Sequence, residues 1–175
     1  MGVIKSYIKP YRQGGLESTC GLYSVVNAYA YLTGESDEKC QLLATEIKDF
    51  LSKKKLFSSI YDGGMGFSEM KLVTENILAK YVKNISLSWR SFPNPTTRKF
   101  WNSSIDFLKK ENTCMIIGTT GREHHWTVVI SATRKTMRLL DSEGWKYLRY
   151  SESTTTVIDD TKYVLYPAQT FFISN

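Results

Sequence analysis

The chain has 175 residues, of which 42% are hydrophobic, 13% aromatic and 23% charged. That suits one domain able to bury about 70% of its unfolded surface, and it excludes disordered, collagen-like and coiled-coil classes. Lysine and arginine number 23 against 17 acids, for a net charge of +6, but the basic residues are scattered and no nucleic-acid motif surrounds the densest run, Lys53-Lys54-Lys55, so nucleic acid is not an expected partner.

In chain order, Ser18-Thr19 precede Cys20, and apolar residues at Leu22, Val25, Val26, Tyr29 and Ala30 follow the i, i+3, i+4 spacing of an amphipathic helix that stops at Gly34. A second helix is expected after Ser36, through Leu42, Leu43, Ile47 and Phe50-Leu51 to the lysine cluster, whose charge suits a helix C-terminus. Asp62-Gly63-Gly64-Met65-Gly66 reads as a loop. Ser68 is expected to cap a third helix through Met70, Leu72, Val73, Ile77 and Leu78, and Thr96 or Thr97 to open a fourth through Phe100-Trp101, Ile105 and Leu108. Residues 84–90 suggest an early strand. Beyond residue 110, short β-rich stretches are expected at 113–118, 126–131, 137–140, 146–150 and 163–166, separated by turn residues. Helices followed by strands predict a single α+β domain over residues 1–175, its N-terminal helices packed on a C-terminal, largely antiparallel sheet.

Apolar runs such as Cys114-Met115-Ile116-Ile117 are far shorter than the ~20 residues that span a bilayer. Lysines interrupt the first ten residues, where a secretory signal needs continuous apolar sequence. A cytoplasmic protein, or one delivered without a classical signal peptide, is expected. Met1-Gly2-Val3-Ile4-Lys5-Ser6 fits an N-myristoylation pattern, with Lys5, Lys9 and Arg12 as the electrostatic second signal. Membrane association is expected only if Gly2 is acylated, for instance when a bacterium delivers the protein into a eukaryotic host. Three cysteines and two adjacent histidines, with no Cys-x-x-Cys pair, write none of the usual structural zinc spacings, so neither metal nor cofactor is expected.

Cys20 falls in the first turn of its helix, where unpaired backbone N–H groups and the macrodipole favour a thiolate. Cys40 lies inside a helix and Cys114 opens a strand, and both read as buried structural residues. A thiolate nucleophile needs an imidazole to share its proton and deliver it to the leaving group. His124 and His125 precede a strand in which alternate side chains face opposite ways, so only one can enter a site, and His125 is the candidate. Asp141, 16 residues later at the end of the next strand, would stand beside His125 across a hairpin and could orient its ring. Gln13 and the Cys20 backbone N–H are candidate oxyanion donors. Taken singly, Asp141 reads as a turn residue and Gln13 as a surface glutamine.

The stretch Gln13-Gly-Gly-Leu-Glu-Ser-Thr-Cys20-Gly-Leu-Tyr-Ser, with His125-Trp-Thr-Val-Val-Ile and Leu-Leu-Asp141-Ser, resembles the papain-like cysteine peptidases. It is most similar to the bacteriocin-processing, double-glycine-cleaving group and its stand-alone relatives. Gly66-Phe-Ser-Glu-Met-Lys-Leu and Cys114-Met-Ile-Ile-Gly extend the likeness. The resemblance implies a papain-like fold with Cys20 as nucleophile, His125 as general base and acid, Asp141 as orienter, and Gln13 with the Cys20 amide as oxyanion hole. The interval from Gln13 to Cys20 is seven residues, one longer than usual in the group. No transporter domain accompanies the peptidase, so the leader substrates of the exporter-linked members are not carried over. Hydrolysis of a peptide or isopeptide bond in a peptide or protein is expected. Glutamine deamidation or acyl transfer by the same triad, and an inactive peptide-binding module, are the alternatives. Trp126 and Trp145 are expected to flank the site and shape or cover it.

Overall fold

The computed structural model describes residues 9–14, 18–87, 95–156 and 161–175. Gly2 and Lys5 of the acylation pattern, Gly15, and residues 88–90 of the expected early strand lie outside them.

Helix α1 (Cys20–Thr33) ends at Gly34, whose left-handed φ of 68° lets its N–H reach the Ala30 carbonyl. Helix α2 (Asp37–Lys53) carries Asp37 and Glu38 in its first turn and Lys53 in its last, matching the dipole, and buries Cys40, Leu43, Ile47 and Leu51. Helix α3 (Phe67–Asn76) starts earlier than Ser68 predicts, because Gly66 is its N-cap and Ser68 stands within the first turn. Trp126 Nε1–H donates to the Met65 carbonyl at 2.7 Å and fixes the chain's approach to that start. Ile77 and Leu78, expected inside this helix, lie beyond its end, where the chain tightens into a 3₁₀ turn at Leu78–Lys80 that still buries Leu78. Helix α4 (Thr97–Leu108) is capped by the Thr96 hydroxyl, which accepts from the Lys99 N–H.

The fold is α+β. The strands are β1 (Asn84–Leu87), β2 (Thr113–Gly121), β3 (His125–Ala132), β4 (Thr136–Leu140), β5 (Tyr147–Arg149), β6 (Ser153–Thr154), β7 (Tyr163–Leu165) and β8 (Phe171–Ser174). Together these eight form one sheet in the order β1-β8-β2-β3-β4-β5, with β7 paired to β2 and β6 to β7. All pairings are antiparallel except β6 with β7.

Both faces of the sheet are covered. Cys114, Ile116, Val128 and Leu140 join helices α1, α2 and α3 in one core, while Met115, Ile117, Val129, Met137 and Leu139 meet Phe100 and Trp101 of α4 in another. Two buried faces explain why β2 and β3 read as near-continuous apolar runs rather than alternating ones. They also separate α4 from the other helices, which the simple order of helices then sheet does not convey.

Candidate active site

Cys20 is the first residue of α1 and is half-buried. A Cβ on the following Gly21 would stand 2.9 Å from the Met65 Cβ, so glycine is what allows the first turn to lie against the 62–66 loop. Residues 63–66 of that loop line a cavity of about 230 Å³ together with Cys20, Gly118, His124 and His125.

His125 opens β3 and its side chain is 1% exposed. Nε2 lies 2.7 Å from Asp141 Oδ2. The β3–β4 register pairs Val128 with Leu140; continued one step, it sets Asp141 opposite Thr127, on the face Thr127 shares with His125. Asp141 Oδ1 accepts the backbone N–H groups of Glu143, Gly144 and Trp145 at 2.9, 3.0 and 3.1 Å. Both carboxylate oxygens are therefore committed. Gly144 completes this turn at a φ of 94°, where a side chain would be strained and would meet the Arg12 guanidinium at 3.0 Å.

Burial alone would strip the charge from the His125 ring. Hydrogen bonds and charge from Asp141 and Cys20 outweigh it, and the ring pKa is pushed up to about 10. Burial likewise opposes ionisation of Asp141, but His125 and the Trp145 N–H hold its carboxyl below the usual range. At neutral pH the ring is an imidazolium: Nε2–H donates to Asp141 and Nδ1–H is left for the thiol side. The Trp145 ring packs 4.6 Å from the imidazole at a tilt of 39°.

The structure thus brings together Cys20, His125 and Asp141 from three distant parts of the chain. His124 is exposed on the cavity rim. Cys40 and Cys114 are buried, at 1% and 0% exposure. Gln13 reaches the edge of the site, tied to the 142–143 loop by its backbone N–H to the Ser142 carbonyl at 3.3 Å. Its side-chain Nε2 donates to Glu143 Oε1 at 2.6 Å rather than pointing at the Cys20 amide. A carboxylate is the strongest acceptor in reach, which accounts for that choice.

Glu143 is a residue that sequence reasoning missed. Its Oε1 lies 3.6 Å from His125 Nδ1, so one carboxylate links Gln13 to the ring. An exposed acid in a turn carries no periodic signal, and only the fold of the 141–145 turn reveals it. Among the described residues, no group of three or more His, Cys, Asp or Glu could hold a metal ion, and no helix is long and apolar enough to cross a membrane. Neither a protein-family model nor any curated protein matches the sequence significantly.

Proposed function

We propose that the protein is a cysteine peptidase of papain-like fold that cleaves a peptide or isopeptide bond through a Cys20–His125–Asp141 triad. The observation that carries this is a buried His125 ring held at 2.7 Å by Asp141 and opening onto the same cavity as Cys20, which stands at a helix N-terminus. The sulfur, as thiolate, attacks the scissile carbonyl carbon, forming a C–S bond and moving the carbonyl electron pair onto oxygen. Collapse expels the amine, which leaves with the proton from His125 Nδ1. The neutral ring then takes a proton from water as that water attacks the thioester, and the thiolate departs with the acid product released.

Asp141 stays ionised throughout and keeps Nε2–H in place, so the nitrogen that trades protons is always Nδ1. The Cys20 backbone N–H, at the first helical position, has no partner within the helix and is an oxyanion donor. Gln13 Nε2 becomes the second donor when a substrate carbonyl replaces Glu143 as its acceptor.

The test is mass spectrometry of peptide libraries incubated with wild-type protein and with Cys20→Ala. New N-termini dependent on Cys20 are expected. A gain of about one mass unit with released ammonia and no cleavage would assign a glutamine deamidase, and amine conjugates would assign an acyltransferase, since both share the acyl-enzyme and differ in the acceptor. Absence of every Cys20-dependent product would leave a peptide-binding module and overturn the proposal.

A further inference from the structure

Beside the Asp141 turn lies a second cavity, of about 260 Å³, which among the described residues shares no wall residue with the Cys20 cleft. Three cations open onto it: Arg12 ahead of α1, Arg138 from β4 and Lys146 just past the turn. None of the three makes an ion pair among the described residues, whereas Lys39, Lys71, Lys80, Lys109 and Arg149 each do. Among the described residues, the one acid in the wall is Asp141, whose oxygens are already taken by three backbone N–H groups and His125. Three positive groups face one hollow, and no acid among the described lining residues is free to answer them.

The rest of the wall is aromatic. Tyr31, Trp145 and Tyr147 line the same cavity, and Tyr147 is left 57% exposed at its rim. We infer that this cavity binds a small phosphate monoester with an aromatic or heteroaromatic organic part. Two guanidinium forks and an ammonium match the three oxygens and double charge of a phosphoryl group better than the single charge of a carboxylate. The tyrosine and tryptophan rings supply a stacking surface for the organic part. A polyanionic strand is disfavoured because the cations ring a hollow instead of running along a stripe. Trp145 also packs against His125, so an occupant presses on the same turn that orients the imidazole.

Isothermal titration calorimetry of the whole protein at about physiological ionic strength tests this with phenyl phosphate, inorganic phosphate and a short thymidine oligonucleotide. Phenyl phosphate is expected to bind once per chain and more tightly than inorganic phosphate. Arg12→Gln and Arg138→Gln should each weaken it by at least about tenfold, and Lys110→Gln, a charge loss on the Phe107 ring outside this cavity, should not. Thermal melts of each variant report folding, and Arg12→Gln, outside every helix and strand, decides alone if Arg138→Gln unfolds. No saturable binding of phenyl phosphate, equal weakening by Lys110→Gln, binding unchanged in Arg12→Gln, or binding of the oligonucleotide without phenyl phosphate would each overturn the inference.

Discussion

Asp141→Asn keeps the size of the side chain and changes the tautomer of His125. In the variant the amide oxygen must stay where Oδ1 is, because three backbone N–H groups point there at 2.9 to 3.1 Å. Turning the amide round would set its NH₂ against those donors and forfeit three bonds of about 0.5–1.5 kcal/mol each, before any desolvation penalty. The NH₂ therefore faces His125 Nε2, now 2.7 Å from an oxygen, and donates to it. A ring that accepts at Nε2 is neutral and carries its hydrogen on Nδ1, where it has no lone pair for the Cys20 proton. The ring pKa falls from about 10, and kcat/KM falls about 10³–10⁴-fold, the scale seen when another triad loses its orienting carboxylate. Histidine side-chain ¹⁵N–¹H spectra read this directly, since there are two histidines and exposed His124 is an internal control. A wild-type Nε2–H signal in the variant, together with an unchanged rate of Cys20 alkylation, would refute the reasoning.

The pair also sets the pH dependence of stability. The folded pKa of His125 is raised from 6.5 to about 10, so its contribution is complete below about 6.5 and lost as pH rises toward 10, amounting to at most about 5 kcal/mol. The Asp141 carboxyl is lowered from 3.8, so its contribution is present above that value and lost as pH falls through the folded one. Denaturant midpoints should decline between pH 6.5 and 10, and His125→Ala should flatten that slope; an equal slope in the variant would contradict it. Gly144→Ala forces a side chain to a φ of 94° against Arg12 and should cost about 1–3 kcal/mol in urea unfolding while slowing Cys20 alkylation. Trp126→Phe leaves the Met65 carbonyl without its 2.7 Å donor, which should cost about 1–3 kcal/mol and speed amide exchange at residues 65–67. Glu143→Gln removes a part-exposed carboxylate 3.6 Å from Nδ1, so the His125 titration should move down while stability stays within about 0.5 kcal/mol of wild type.

Much of this site was legible in the chain because its members sit next to strong local patterns. Ser18-Thr19 before an amphipathic run mark the start of α1, and so place Cys20 on its first turn. His125 opens β3 and is buried, His124 stands exposed just before the strand, and a short hairpin brings Asp141 beside His125. Less legible was whatever depends on contact between distant segments. Gln13 reads as an oxyanion donor, yet its amide is drawn to Glu143, a partner 130 residues away that no spacing rule announces. Strand β8 went unforeseen for a different reason: Phe171 and Ile173 face one core and Phe172 the other, so it lacks the alternation that reveals half-buried strands. The start of α3 at Phe67 instead of after Ser68 follows from a loop anchored by Trp126, again a contact between remote parts of the chain.

The coupling of sulfur to imidazole is the centre of the account, and the pH profile of alkylation at Cys20 measures it most directly. With iodoacetamide and peptide mapping, Cys20 should react alone at neutral pH, with buried Cys40 and Cys114 protected. His125→Ala should cut the neutral-pH rate at least about tenfold and change the shape of the profile. A profile in His125→Ala that superimposes on the wild type would mean the two side chains do not act together.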